Sequence, residues 1–172
     1  MDLANQIKDL LIKDIKVRFF DESFSRIAQC LNALSEEEIW HRPNGNSNSI
    51  GNLVLHLEGN IRQWLISGIG NQEDLRNRKL EFLEKGPIPK KALMDKLIQL
   101  EEDSKSVFDD ISKEDLIIIK NIQGFDTNIT SILIHITEHL SYHTGQIAFY
   151  TKLLKDIDLK FYGDLDLNVH NI

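Results

Sequence analysis

Three of the chain's six histidines fall within nine residues: His135, His139 and His143, in the run His-Ile-Thr-Glu-His-Leu-Ser-Tyr-His. Steps of four residues advance about 400° around a helix axis, so the three imidazoles form a slowly turning row on one face. Two imidazoles at i and i+4 can reach one metal ion, with Zn–N bonds of about 2.0–2.1 Å. A further ligand must then come from another element. His56 is the natural candidate, because it stands in the otherwise apolar stretch Asn52-Leu53-Val54-Leu55-His56-Leu57. Burying an unsatisfied polar group costs about 1–3 kcal/mol, and a shared metal would satisfy this one. Three protein nitrogens leave a coordination position for water or substrate, the arrangement of a catalytic site. Plainer readings stand beside this one. A lone histidine on an apolar helix is more often a hydrogen-bonded core residue, and histidines four apart also occur on exposed faces. Spacing alone leaves these readings open.

The elements that must carry these residues are long helices. Over residues 4–34, Ile7, Leu10, Leu11, Ile15, Phe19, Phe24, Ile27 and Leu31 recur at three- and four-residue steps, predicting one apolar stripe on a first helix. Ser35-Glu36-Glu37-Glu38 has the form of a capping box, with a short helical turn through Ile39 and Trp40. A polar loop over 41–48 precedes the second helix, which starts at Ser47 or Ser49, carries His56 and ends at Gly68 and Gly70. Residues 71–89 are charged and irregular, closing on the break Gly86-Pro87-Ile88-Pro89. A third helix is predicted over 90–111, with Leu93, Leu97, Leu100 and Val107 facing inward. Residues 116–119, Leu-Ile-Ile-Ile, suit a short strand or an extended segment equally. The last helix starts at Asn128 or Thr130, both good N-caps, and runs to about Lys155. The acidic tail, 156–172, is expected to pack on the surface or at a dimer contact. Four helices joined by loops predict an all-α, up-down-type four-helix bundle forming a single domain over residues 1–172.

Charge and composition narrow the partners. Twenty Lys and Arg against 27 Asp and Glu give a formal charge of −7, with basic residues scattered among acids. That argues against nucleic acid, whose phosphates select clustered Lys and Arg. No apolar run approaches the roughly 18 residues that span a bilayer, and no signal-like segment opens the chain. The single cysteine, Cys30, sits in an apolar-periodic stretch and reads as a small buried hydrophobe. A reducing, cytoplasmic setting is expected.

The run Ile134-His135-Ile136-Thr137-Glu138-His139-Leu140-Ser141-Tyr142-His143-Thr144-Gly145-Gln146-Ile147 resembles the last-helix signature of the DinB/YfiT-like proteins, a row of histidines followed by a Gly-Gln step. Asn52 to Leu57, between Gly51 and Gly59, is similar to the segment that supplies the first ligand in that family. Trp40 to Leu53 is close to a branch of mostly uncharacterised bacterial proteins. The likeness runs in outline over nearly the whole chain. It implies a four-helix bundle holding a divalent metal, zinc or nickel, through His56, His139 and His143. It also places His135, one turn earlier, behind the ligands or in the pocket wall. Thr144 departs from the arginine that many members carry before Gly-Gln.

Other residues join the candidate site with weaker claims. Gln146 is placed to hydrogen-bond an imidazole. Tyr142 either meets a metal-held water or packs, and Trp64 either walls a pocket or fills core. Glu138 points about 100° away from His139 and reads as a solvated charge. Arg42 and Arg62 are the nearest cations for an acidic substrate. The resemblance implies a metal-dependent transferase of a low-molecular-weight thiol, since a coordinated thiol is deprotonated outright. A metal-dependent hydrolase, a non-catalytic metal-binding stress or sensor module that forms a homodimer through helix faces, and purely structural histidines are the alternatives.

Overall fold

The computed structural model describes residues 2–163 and 165–170. In chain order they form α1 (Leu3–Lys16), a π-helical stretch (Val17–Phe24), α2 (Ser25–Ala33) and α3 (Glu36–Trp40). Then come α4 (Ile50–Ile61), a second π-helical stretch (Arg62–Ser67), α5 (Arg78–Leu83) and α6 (Lys90–Asp110). A 3-10 turn (Asp115–Ile117), β1 (Ile119–Ile122), β2 (Phe125–Asn128) and α7 (Ile129–Lys155) complete the order.

Side-chain caps decide where the helices that carry histidines begin. The Ser49 hydroxyl accepts from the Asn52 N–H while the Asn52 side-chain oxygen accepts from the Ser49 N–H, a reciprocal box that opens α4. Asn128 rather than Thr130 caps α7, accepting from the Ser131 N–H. Thr130 instead donates its hydroxyl to the Leu116 carbonyl. The predicted box at Ser35 and Glu38 is present and starts α3.

The fold is mostly helical. α4 packs against α5, α6 and α7, and α2 against α6 and α7, around a core that includes Phe19, Leu31, Leu65, Phe108 and Ile136. Phe19 and Phe108 meet edge to face at 5.2 Å. Leu93, Leu97, Leu100 and Val107 of α6 face inward as expected. Cys30 is buried and unpaired, and burial pushes its thiol up from the ordinary value. Part of the tail packs back: Leu159 is buried, and its carbonyl accepts from Gln29 Nε2 at 2.5 Å. Among the described residues no helix is long and apolar enough to cross a membrane.

Three expectations need correction. Ile7 and Leu10 are 56% and 65% exposed, off the predicted stripe. The buried face runs Ile12, Ile15, Phe19 and then steps five to Phe24. A π-helical stretch holds more residues per turn, so one α-helical period drawn through it mis-phases the residues on one side. Residues 71–89 are not wholly irregular, because α5 forms within them. Six residues without a side-chain cap give no periodic signal. The chain also contains a two-stranded antiparallel hairpin, β1 with β2, in which Ile119 pairs with Asn128 and Ile122 with Phe125. Its two-residue turn, Gln123-Gly124, has positive φ at both positions (54° and 82°), the backbone of a primed turn.

Substituting Ser49→Ala removes the α4 cap and leaves the buried Asn52 N–H without its acceptor. Thermal melts should show a loss of about 1 kcal/mol, which lowers Tm by roughly 2–4 °C in a chain of this size. An unchanged Tm would mean that the cap is not stabilising.

Candidate metal centre

Two helices bring facing rows of side chains together. On α4 and the π-helical stretch after it, His56, Asn60 and Trp64 recur every four residues; on α7 so do His143, His139 and His135. The rows run in opposite directions. At one end the His56 ring lies 5.0 Å from His139 and 5.0 Å from His143, centroid to centroid, while His139 and His143 are 4.5 Å apart. At the other end Trp64 packs on His135 at 4.4 Å. The π-helical geometry lets consecutive Trp64, Leu65 and Ile66 all be buried.

The nitrogens converge. His56 Nε2 and His139 Nε2 are 2.9 Å apart, and one ring nitrogen from each of His56, His139 and His143 lies within 4.8 Å of the others. Metal–nitrogen bonds of about 2.0–2.1 Å put two ligand atoms roughly 2.9–3.4 Å apart for angles from 90° to tetrahedral. The three imidazoles could hold one divalent transition-metal ion.

Two of the rings are held from the far side by hydrogen bonds, while His56 Nε2 faces His139 Nε2. His56 Nδ1 donates to Glu81 Oε2 at 2.9 Å. Arg76 Nη2 also lies 3.2 Å from Nδ1, but a guanidinium has no acceptor, so the Nδ1 proton belongs to the carboxylate bond. His143 Nδ1 donates to Gln146 Oε1 at 2.7 Å. A ligating histidine held this way is fixed in tautomer and orientation and made a better ligand.

Glu81 comes from α5 and is only 8% exposed. Arg76 meets it through two bonds, Nε to Oε1 at 2.7 Å and Nη2 to Oε2 at 3.0 Å, and donates a third to Gln63 Oε1. Burial raises the Glu81 carboxyl, but the bonds from His56 and Arg76 outweigh it and hold the group below its ordinary value. Gly59 makes the approach possible, since a Cβ there would collide with Glu81 Oε1.

The three imidazoles of α7 are held below the ordinary histidine range. His139 is pushed down to about 3, chiefly by burial and then by repulsion from His143, His56, His135 and Arg76. Burial also lowers His143, against the opposing bond to Gln146, and lowers His135. Neutral imidazole is the form that binds a metal.

The residues singled out in the sequence fall as follows. His56, His139 and His143 meet, and Gln146 bonds His143. His135 stacks on His139 at 5.6 Å and on Trp64, so both line the adjoining space. Tyr142 packs edge-on against His143 at 5.0 Å and is 62% exposed. Glu138 is exposed, and Thr144 is buried with its hydroxyl donating to the Leu140 carbonyl. Arg42 and Arg62 are committed elsewhere, which corrects their reading as substrate cations. Arg42 donates to Asn52 Oδ1 and the carbonyls of Phe82 and Glu84, and Arg62 pairs with Glu58 and Asp103. Glu81 and Arg76 escaped sequence reasoning. They lie 25 and 20 residues beyond His56 in a segment without periodicity, and only their charge set them apart.

The histidine row's resemblance is met by the fold. Two solved DinB-like proteins share it. One, from Bacillus cereus ATCC 10987, is 16% identical with a TM-score of 0.62, covering 81% of this chain and 90% of its own. The other, YjoA of Bacillus subtilis, is 17% identical with a TM-score of 0.66, covering 87% and 96%. At such identities the likeness carries the fold alone. The chain belongs to the DUF1572 family, described as proteins of unknown function, which matches residues 8–163. No curated protein matches it.

Metal-free protein should lose stability between pH 7 and pH 5. His139 binds fewer protons folded than unfolded between about 3 and the ordinary 6.5. Its contribution is therefore full above pH 6.5 and declines as pH falls through that window. Glu81 acts only lower, below its ordinary 4.5. Urea midpoints of chelator-treated protein should fall at pH 5, and less so in His139→Leu; equal midpoints at both pH values would contradict the burial of a neutral imidazole.

Proposed function

We propose that the chain binds one divalent transition-metal ion through His56, His139 and His143, with at least one coordination position left to a small ligand. The observation that carries this is the convergence of three imidazole nitrogens within 4.8 Å, two of the rings held from behind by Glu81 and Gln146. A bound ion of this kind supplies Lewis acidity, lowering the pKa of a coordinated thiol or water. The chain's own groups do the rest. Glu81 and Arg76 lock the His56 tautomer, burial keeps His139 neutral, and Trp64 with His135 shields one flank from solvent.

Among chemistries, transfer of a low-molecular-weight thiol is the reading that the DinB-like resemblance favours; a metal-dependent hydrolase and a non-catalytic metal-binding stress module are the alternatives. We read the four long helical runs as an up-down bundle in one domain, supported by the packing of α4 and α2 on both α6 and α7. A cytoplasmic homodimer completes the proposal. Cys30 is unpaired, and Tyr142, Phe149 and Leu153 form an exposed apolar stripe along α7 suited to a second helix face.

Elemental analysis and calorimetry with zinc and nickel test the reading. Wild-type protein should bind about one ion per chain, and His139→Ala should fall to background. Glu81→Gln should keep the fold but bind about 10–100-fold more weakly. Equal metal content in wild type and His139→Ala would defeat the proposal. A loaded protein that conjugates no thiol to chlorodinitrobenzene would leave the stress-module reading in its place.

A further inference from the structure

A cavity of about 640 Å³ opens where α4 and its π-helical continuation meet α6 and residues 72–88. No histidine lines it. Leu55, Ile66, Leu75, Leu80 and Ile88 give it an apolar wall. Leu75 and Leu80 stand 80% and 60% exposed there, large apolar side chains that a bound chain would take out of water. The volume falls in the range of small-molecule sites, about 300–1,000 Å³.

The charges around that apolar wall select the occupant. The cavity's three bases are already matched: Arg76 by Glu81, Arg62 by Glu58 and Asp103, and Lys96 by Glu58 at 3.9 Å. Three of its acids are not. Glu73 has no partner at all among the described residues. Asp74 accepts only from Gln63 Nε2 and the Arg76 N–H, and the Glu84 carboxylate only from the N–H groups of Lys85 and Gly86. These acids stand at opposite ends. Asp74 is tied to Gln63, whereas the Glu84 backbone is tied to Asn52, whose Nδ2 donates to its carbonyl at 2.8 Å. Asn52 and Gln63 are eleven residues apart on one continuous helical run, about 16 Å along its axis. Leu55 lies between them on that run. Negative ends with an apolar middle complement a chain of methylenes carrying a cation at each end.

We propose that this cavity binds a linear aliphatic diamine, one ammonium donating to Glu73 and Asp74, the other to Glu84, with the methylene chain against Leu55, Leu75, Leu80 and Ile88. Two ammonium groups joined by one chain bind as a linked pair, so the second contact forms at high effective concentration when the chain length matches the span. A shorter dication reaches one end only. A chain with a single ammonium leaves the other end's carboxylate without a cation. The proposed contacts touch none of the three histidines, so the inference stands or falls apart from the metal centre.

Titration calorimetry of the full chain at neutral pH tests this with octamethylenediamine, octylamine and trimethylenediamine. Octamethylenediamine should bind at least about tenfold more tightly than octylamine, the scale of one further charge-assisted hydrogen bond. It should exceed trimethylenediamine, which cannot span the ends, by a similar factor. Glu84→Gln keeps an acceptor for the Lys85 and Gly86 N–H groups while removing the charge, and should bring the preference over octylamine to within about twofold. The double variant Glu73→Gln with Asp74→Asn should do the same from the other end. Glu102→Gln removes an acid that does not line the cavity and should change nothing. Equal affinity for octamethylenediamine and octylamine, indifference to chain length, or an undiminished preference in either cavity variant overturns the proposal. So does an equal loss in Glu102→Gln, which would mean that the dication is drawn by the chain's net charge of −7 and not by a site.

Discussion

A carboxylate buried between an imidazole and a guanidinium organises this molecule's site. Glu81 accepts from His56 on one side and from Arg76 on the other. Each partner alone would be an awkward resident of the interior, and removing one member of a buried charge pair costs about 3–5 kcal/mol. Together they are satisfied. The same carboxylate also explains α5, since six residues do not hold a helix by themselves. Glu81 ties α5 to α4 over Gly59, whose missing side chain leaves room for the contact.

From that anchor the chemistry follows outward. Fixing the Nδ1 proton of His56 on Glu81 points Nε2 at α7, where His139 and His143 are waiting. Gln146 performs the same service for His143 at a more exposed position. Burial makes protonation of His139 unfavourable, and repulsion from His143, His56, His135 and Arg76 adds to it, which is why it falls so far below the ordinary histidine range. Such a cluster costs stability unless something shares its lone pairs.

How much of this could be read from the residues alone depends on the range of each signal. Caps and rows are local: Ser35, Ser49 and Asn128 capped as their types suggest, and four-residue steps correctly put His135, His139 and His143 on one face. The meeting of His56 with that face was legible through an isolated histidine in an apolar stretch and through family likeness. Glu81 was not, because its partner is 25 residues away and its own segment looks like a solvated loop. Ile7 and Leu10 misled for a different reason, as the π-helical stretch breaks the period that was used to place them. The hairpin's strands are four residues each, too short to stand out from extended chain.

X-ray absorption at the zinc edge of protein loaded with one equivalent of zinc goes most directly to the central claim. Three imidazole nitrogens at about 2.0–2.1 Å with one further light ligand are expected, and His56→Ala should lower the imidazole count by one. A spectrum with fewer than three imidazoles in the wild type, or one unchanged by that substitution, would contradict the assignment of His56, His139 and His143 to a single ion.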